Sequence, residues 1–297
     1  MMRKRLLSLF SLLLTLCSLT LPARAELVRG TLPFYPYTTS GLTVERSYDS
    51  DTLKYVVETY KVGERKTKCF VTKVWMADPG RQIRKATAEW HKHLAMPLDM
   101  GKTIEGAALV INGSGYVSPM FPWIPETYPG TSEDYYFTPL GSLTVTDGEV
   151  FRNLAGIPYV GLTLEADGLH MYTGEDNETV LAHQPTQTWS FYEQCPLIQN
   201  HESILDRDWD FANDRAIRTI IAKMDDNNYL IFTVTSIHGL TLLEATDWLM
   251  EQFDPEWAYD LDGGPSTALI CRNKGKKTLR IIYGGERKDV DVMAFVE

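Results

Sequence analysis

The sequence predicts an α+β fold: a mixed, largely antiparallel β-sheet core with a few covering helices, in a single domain. Three observations carry that expectation. Short runs rich in β-branched and aromatic residues recur along most of the chain, separated by Gly, Asp-Gly and Asp/Asn turn signals. Only two stretches, 81–95 and 241–253, place apolar residues at the three- and four-residue steps of a helix. Hydrophobic residues make up 44% and aromatic residues 11%, enough for a substantial core, and no repeat, low-complexity tract or linker divides the chain.

Taken in order, the first 25 residues read as a secretory signal peptide. Arg3, Lys4 and Arg5 precede an almost uncharged apolar run over 6–21, then Pro22, Ala23, Arg24 and Ala25, with cleavage expected after Ala25. That run of 16 residues is shorter than the roughly 20 needed to span a bilayer, and no later segment is long and apolar enough. The expected mature domain is 26–297, secreted or periplasmic. Strands are expected at 42–46, 53–60 and 69–75, with Gly63 turning between the last two. Ile83, Ala86, Trp90 and Leu94 predict an amphipathic helix over 81–95, with His91 and His93 off its stripe as solvated surface.

A buried strand over 107–111 ends in Asn112, Gly113, Ser114 and Gly115. The Pro- and aromatic-rich residues 117–140 read as an irregular, ordered loop. Short strands resume over 140–182, turning at Asp147-Gly148 and Asp167-Gly168, and 216–224 pairs with 229–235 through Asp225, Asp226, Asn227 and Asn228. Thr241 and Glu244 form a capping box at the head of the second helix, whose buried face is Leu242, Ala245, Leu249 and Phe253. A strand over 257–261 then runs into Asp262, Gly263 and Gly264. Two helix–strand–turn units, 81–116 and 241–267, thus deliver polar and Gly residues to strand ends, where ligand sites often lie.

Charge and cysteine content exclude several classes. Losing Arg3, Lys4, Arg5 and Arg24 with the leader takes the formal charge from −10 to about −14, a poor balance for nucleic acid or anionic membranes. Cys69, Cys195 and Cys271 lie far apart with no CxxC spacing, which argues against a cysteine metal site and leaves either one disulfide or three reduced thiols. The six histidines show no metal spacing. No GxSxG, GxxxxGK[ST], HExxH or GxGxxG is present. Catalysis must then rest on carboxylates, Arg and backbone donors.

Four residues carry that chemistry, each with a structural alternative. Asp262 is a catalytic carboxyl or the first residue of a turn. Arg218, inside an apolar strand, needs a partner: an anionic ligand gripped by its planar fork, or a structural carboxylate. Asn112 reads hydroxyls or turns the chain. Glu244 is a second carboxylate or simply the capping-box residue.

The ordered set Ile111-Asn112-Gly113, Gly148-Glu149, Arg218-Thr219, Gly239-Leu240-Thr241-Leu242 with Glu244-Ala245, Leu261-Asp262-Gly263-Gly264 with Ser266-Thr267, Gly285-Glu286-Arg287 and Ala294-Phe295-Val296 resembles the phosphodiester glycosidases over roughly residues 80–297. The resemblance implies cleavage of a sugar from a sugar-1-phosphodiester or related glycan. Asp262 would be the leading catalytic carboxyl, with Glu244 the second candidate. Arg218, with Thr219, would hold the phosphate by charge-assisted bonds. Asn112 and Ser266 would contact substrate, and Gly263 and Gly264 would keep the loop low. No cofactor is implied. This chain departs from the family where a third glycine is Pro265, where Asn is Asp260, and where the first turn reads Asn112-Gly113-Ser114-Gly115-Tyr116. Two alternatives stand beside the hydrolase: a non-catalytic glycan-binding or envelope protein, and a phosphoesterase using a divalent cation at Asp260 and Asp262. The sugar, the second half of the diester and the oligomeric state stay open.

Overall fold

Period-two burial organises the molecule. Leu109 and Ile111 face one hydrophobic cluster while Val110 between them faces another, and Ile221 is divided in the same way from Ile220 and Ala222. Strands buried on both faces must lie between layers, and they do. The computed structural model describes residues 43–118, 133–235, 238–272 and 275–297, all within one compact unit. The expected signal peptide, Leu42 and the middle of the aromatic loop, 119–132, lie outside the described residues.

Along the chain the strands are β1 (Thr43–Asp49), β2 (Leu53–Val62), β3 (Thr67–Met76), β4 (Ile83–Thr87), β5 (Ala107–Asn112), β6 (Leu143–Thr146), β7 (Glu149–Asn153), β8 (Tyr159–Glu165), β9 (Gly168–Glu175), β10 (Gln187–Trp189), β11 (Pro196–Gln199) and β12 (Glu202–Ser203). They continue as β13 (Arg218–Lys223), β14 (Asn228–Val234), β15 (Trp257–Asp260), β16 (Ala268–Arg272), β17 (Leu279–Gly284) and β18 (Asp291–Val296). An eight-stranded sheet runs β1-β2-β3-β14-β13-β15-β11-β12 and a five-stranded sheet β17-β16-β5-β18-β4. A three-stranded sheet (β10-β8-β9) and the β6–β7 hairpin complete the strands. Among the described residues every pairing is antiparallel.

The two large sheets share one core, in which Val57, Ile231 and Tyr259 of the first pack with Leu109, Met293 and Phe295 of the second. Helix Leu242–Phe253 covers the outer face of the first through Leu242, Ala245 and Leu249. Helix Pro97–Thr103 covers the outer face of the second through Met100. The α+β fold with its antiparallel core is therefore as the sequence predicts. Among the described residues no helix is long and apolar enough to cross a membrane.

The helix expected over 81–95 is not formed. A single turn, Pro79–Gln82, hands over to β4, which pairs with β18 from Ile83↔Phe295 to Thr87↔Asp291. The apolar residues at helical spacing serve three different neighbours: Ile83 enters the shared core, Ala86 packs against the outer cluster, and Trp90 and Leu94 join a satellite cluster with Tyr116 and Val290. Pairing an otherwise open edge of β18 outweighs the local pattern. The helix that does precede β5 is Pro97–Thr103.

Most other local signals hold, although 177–182, expected among the short strands of 140–182, forms helix Asn177–Ala182, capped by the Asp176 side chain. Gly63 and Gly148 take φ of +70° and +79° at their turns, β13 and β14 form the expected hairpin, and Thr241 and Glu244 make both capping-box bonds. Phe253, expected on the buried helical face, is only partly buried against it. Cys69, Cys195 and Cys271 are unpaired and buried, so of the two cysteine readings the reduced thiols are observed. Burial pushes the Cys69 and Cys271 thiols up to about 12 and Cys195 well above its ordinary value.

Candidate active site

Four strand ends from the two sheets meet where the chain leaves β15. The segment 261–264 runs alongside the start of β13: Leu261 N donates to Thr219 O (2.8 Å) and Gly264 N to Ile217 O (2.8 Å). Asp262 N donates to Gly113 O at 3.2 Å, joining this segment to the end of β5. Asn112, fully buried, is the clamp. Its Nδ2 donates to Asp262 O at 2.5 Å, and its Oδ1 accepts from Thr219 Oγ1 (2.8 Å) and Ala268 N (3.0 Å). One side chain thereby ties β5, β13, β16 and the carboxylate's own peptide together.

The two glycines have separate reasons. A Cβ on Gly263 would sit 2.7 Å from Ile217 O, so close approach to β13 demands glycine there. Gly264 has φ +57° with open space where its side chain would be, so it is required by backbone conformation. The 3-10 turn Gly264–Ser266, with Pro265 inside it, then carries the chain into β16.

Asp262 opens onto a cleft of about 220 Å³ lined by aromatic Tyr116, Phe191, Tyr192 and Phe211 and by Arg218, Gly263, Gly264 and Arg287. A neighbouring cleft of about 540 Å³ lies along Pro265, Ile281, Ile282, Tyr283, Gly284 and Glu286. Ile217, Gly264 and Arg287 border both. The Arg287 guanidinium stands 4.0 Å from Asp262 Oδ2. Its Nε donates to Tyr116 OH at 2.7 Å and its plane lies over that ring, which fixes it at the border.

Carboxyls outnumber cations here. Burial raises Asp262 above its ordinary value, opposed chiefly by Arg287, with the Ser266 hydroxyl and the Gly263 N–H also lowering it. Asp260, wholly buried, faces Arg218 at 3.5 Å; burial pushes it to about 7 despite that guanidinium, and the charge of Asp262 adds to the rise. Asp289 is buried, neither of its oxygens has a hydrogen bond of ordinary geometry, and burial together with Asp262 holds it well above the carboxylate range. Asp291 accepts from Ser114 N (2.7 Å) and pairs with Lys85 at 3.1 Å, with both side chains fully enclosed.

Of the residues singled out from sequence, Asp262, Arg218, Gly263 and Gly264 line the cleft, whereas Asn112, Thr219, Ser266 and Asp260 lie buried beneath it. Asn112, expected to contact substrate, is spent on the scaffold. Arg218 is likewise occupied: besides Asp260 it donates to Phe211 O (3.1 Å) and Asp214 O (2.9 Å) and lies over the Phe211 ring. Glu244 does not border the cleft; it caps its helix and pairs with Arg215 at 2.7 Å. Sequence reasoning missed Arg287, although Gly285-Glu286-Arg287 stood in the resemblance without a role. It also missed Asp289 and Asp291, whose alternation with Val290 and Val292 was the available signal.

Comparison with known proteins shows the family and the fold. The model of the family described as phosphodiester glycosidase matches residues 105–296. Among solved structures, the chain is similar to the catalytic domain of zebrafish N-acetylglucosamine-1-phosphodiester alpha-N-acetylglucosaminidase auto-inhibited by its pro-peptide. That likeness has 17% identity and a TM-score of 0.60, covering 86% of this chain and 87% of that one. A hypothetical protein from Synechocystis is similar at 12% identity and a TM-score of 0.53, covering 84% of this chain and 63% of that one. At these identities the likeness is one of fold. No curated protein matches.

Proposed function

The chain belongs to the phosphodiester glycosidase family, and on that premise we propose that it hydrolyses the glycosidic bond of a sugar-1-phosphodiester, with Asp262 as the catalytic carboxyl. The observation that carries this reading is the pairing of Asp262 with Arg287 at the border of two clefts, one walled by aromatic rings. Aromatic faces suit the apolar face of a sugar ring. A phosphate between the two clefts meets Arg287, whose fork matches phosphate oxygens. Arg218, expected to hold the phosphate, contributes its charge from the wall of the same cleft.

The net reaction adds water across the bond between the anomeric carbon and the phosphate oxygen. That bond breaks with its electron pair leaving on the phosphate monoester, and the water oxygen remains on the carbon. Asp262, as carboxylate, stabilises the positive charge that develops at the carbon and takes up the proton released by water. Arg287 stabilises the leaving phosphate, so less acid assistance is needed than in ordinary glycoside hydrolysis, where two carboxyls flank the bond. The basic, apolar and Ala-x-Ala pattern of the first 25 residues supports export, placing the substrate among secreted or envelope glycans.

The test is sugar release from a panel of sugar-1-phosphodiesters and UDP-sugars by wild type, Asp262→Asn and Arg287→Met. Turnover lost by at least about a hundredfold in both folded variants, with sugar binding retained by Asp262→Asn, is the expected result. Binding without turnover in the wild type would instead favour a glycan-binding protein. A divalent-cation dependence abolished by Asp260→Ala would favour the phosphoesterase.

A further inference from the structure

A second group of chemistry-bearing side chains lies on the three-stranded sheet, and none of them borders either cleft. Thr163, Glu165 and His170 share a face of the β8–β9 hairpin, because Thr163 and His170 are directly paired and Glu165 is two residues along. Asp167 sits in the hairpin turn, and His183 arrives from the C-terminal end of helix Asn177–Ala182. The ligand atoms of Glu165, Asp167 and His170 all lie within 4.8 Å of one another. His170 Nε2 is 2.7 Å from Asp167 Oδ1 and 3.9 Å from Glu165 Oε2, and His183 Nδ1 is 3.7 Å from that same Oε2.

Glu165 is built to present one oxygen. The residue is 8% exposed, and its Oε1 accepts from Thr163 Oγ1 and Tyr172 OH, both at 2.8 Å. Those two hydroxyls fix the carboxylate plane and leave Oε2 toward the two imidazoles. Tyr172 also lies beside the His183 ring, with centroids 6.2 Å apart. A carboxylate oriented by the buried Thr163 hydroxyl and the half-buried Tyr172 hydroxyl, facing one nitrogen from each of two histidines, has the hydrogen-bonded support that orients metal ligands.

We propose that Glu165 Oε2, Asp167 Oδ1, His170 Nε2 and His183 Nδ1 form a binding site for a first-row divalent cation, with Zn²⁺ the expected occupant. Two imidazoles and two carboxylates suit zinc in preference to calcium or magnesium, which take oxygen ligands. Zinc ligands at about 2.0–2.1 Å in a tetrahedron stand on the order of 3.3 Å from one another. The His170 separations of 2.7 and 3.9 Å straddle that figure, whereas His183 stands 3.7 Å from Glu165 Oε2 but outside the 4.8 Å grouping of the other three, so its exposed side chain must swing inward to complete the set. The ion takes the place of the proton shared by His170 and Asp167. Its consequence is structural: it fastens the β8–β9 hairpin to the helix that follows. Histidine spacing along the chain did not signal this site, because the hairpin and the helix bring together residues up to 183 from 165.

The test is calorimetric titration of the chelator-stripped full chain with Zn²⁺, with thermal midpoints recorded with and without the ion. One saturable site and a raised midpoint are expected in wild type. His170→Ala and His183→Ala each lose at least tenfold in affinity, and Tyr172→Phe, which frees Glu165, loses roughly tenfold. His170 and His183 are partly exposed, so metal-free midpoints close to wild type are expected. Asp167→Asn, at a residue on the turn surface, supplies a second probe should either histidine variant fold poorly. Absence of saturable Zn²⁺ binding, or affinity unchanged in His170→Ala, His183→Ala and Asp167→Asn, overturns the proposal. Because binding and stability are read without substrate, the result is independent of the glycosidase reading.

Discussion

A carboxylate at the end of a buried strand is legible as chemistry only when its neighbours are known. Asp262 is raised by burial and lowered first by Arg287, so the acid limb of kcat/KM should lie above the ordinary aspartate range near 3.8. Arg287→Met removes the main opposing charge, and any residual activity should show an acid limb moved further up; a pH–rate profile unchanged in position would separate Asp262 from that limb. Asp260 gives an equilibrium counterpart. Its folded value of about 7 lies above the ordinary aspartate value of 3.8. Protonation therefore favours the folded state: the contribution is whole below about pH 4 and is lost as pH rises through about 7. Asp260→Asn cannot titrate there. Wild-type stability relative to that variant should therefore fall between about pH 4 and pH 8, by a few kcal/mol. Urea unfolding of both proteins at the two ends measures it, and a constant difference would refute the shift. The glycines separate as cleanly. Gly263→Ala drives a Cβ into Ile217 O and should cost about 1–3 kcal/mol, whereas Gly264→Ala meets open space at φ +57° and should cost about 1 kcal/mol.

At the scale of elements, what the sequence showed were features whose cause is local. The turns at Gly63 and Gly148, the β13–β14 hairpin and the Thr241–Glu244 capping box each draw on residues within a few positions of one another. The 81–95 segment defeated the same reasoning because its apolar residues answer to three distant partners, and because a β18 edge required pairing. Asn112 shows the same limit within one side chain. Asn-Gly reads as a turn or a hydroxyl reader, but its amide closes three hydrogen bonds to residues more than a hundred positions away. Asn112→Ala should accordingly cost about 3 kcal/mol by leaving buried groups unpaired and should also depress turnover by loosening Asp262. Thr241→Ala, which removes only a cap, should cost about 1 kcal/mol with turnover unchanged. Equal effects of the two substitutions on turnover would remove Asn112 from the positioning of Asp262.

For the whole molecule, the site exists because two sheets are held in register. Arg218 opens β13 of the larger sheet and Asp262 lies just past the end of its β15, whereas Asn112 and Asp291 lie on β5 and β18 of the five-stranded sheet. Each residue type was visible in the sequence, but their meeting depends on how the sheets stack, which no local pattern encodes. Lys85 makes the point sharply. On a surface helix it would be an ordinary solvated lysine; on β4 it is fully enclosed, pairs with Asp291, donates to Thr188 O at 2.6 Å and lies 5.4 Å from the centres of both Trp90 and Trp189. Burial lowers its pKa, opposed by Asp291. This one ammonium therefore links the five-stranded sheet to the three-stranded sheet beneath the Asp291–Ser114 contact that shapes the first turn. Replacing it by methionine keeps the volume and removes the charge, which strands Asp291 in the interior and should cost about 3–5 kcal/mol. Adding Asp291→Leu removes the stranded carboxylate but also the acceptor for Ser114 N, so the double variant should recover only part of that loss. Urea unfolding of the two single variants and the double variant closes the cycle. A Lys85→Met protein within about 1 kcal/mol of wild type, a cost typical of a solvated surface pair, would mean the sheets do not depend on this ion pair for their register.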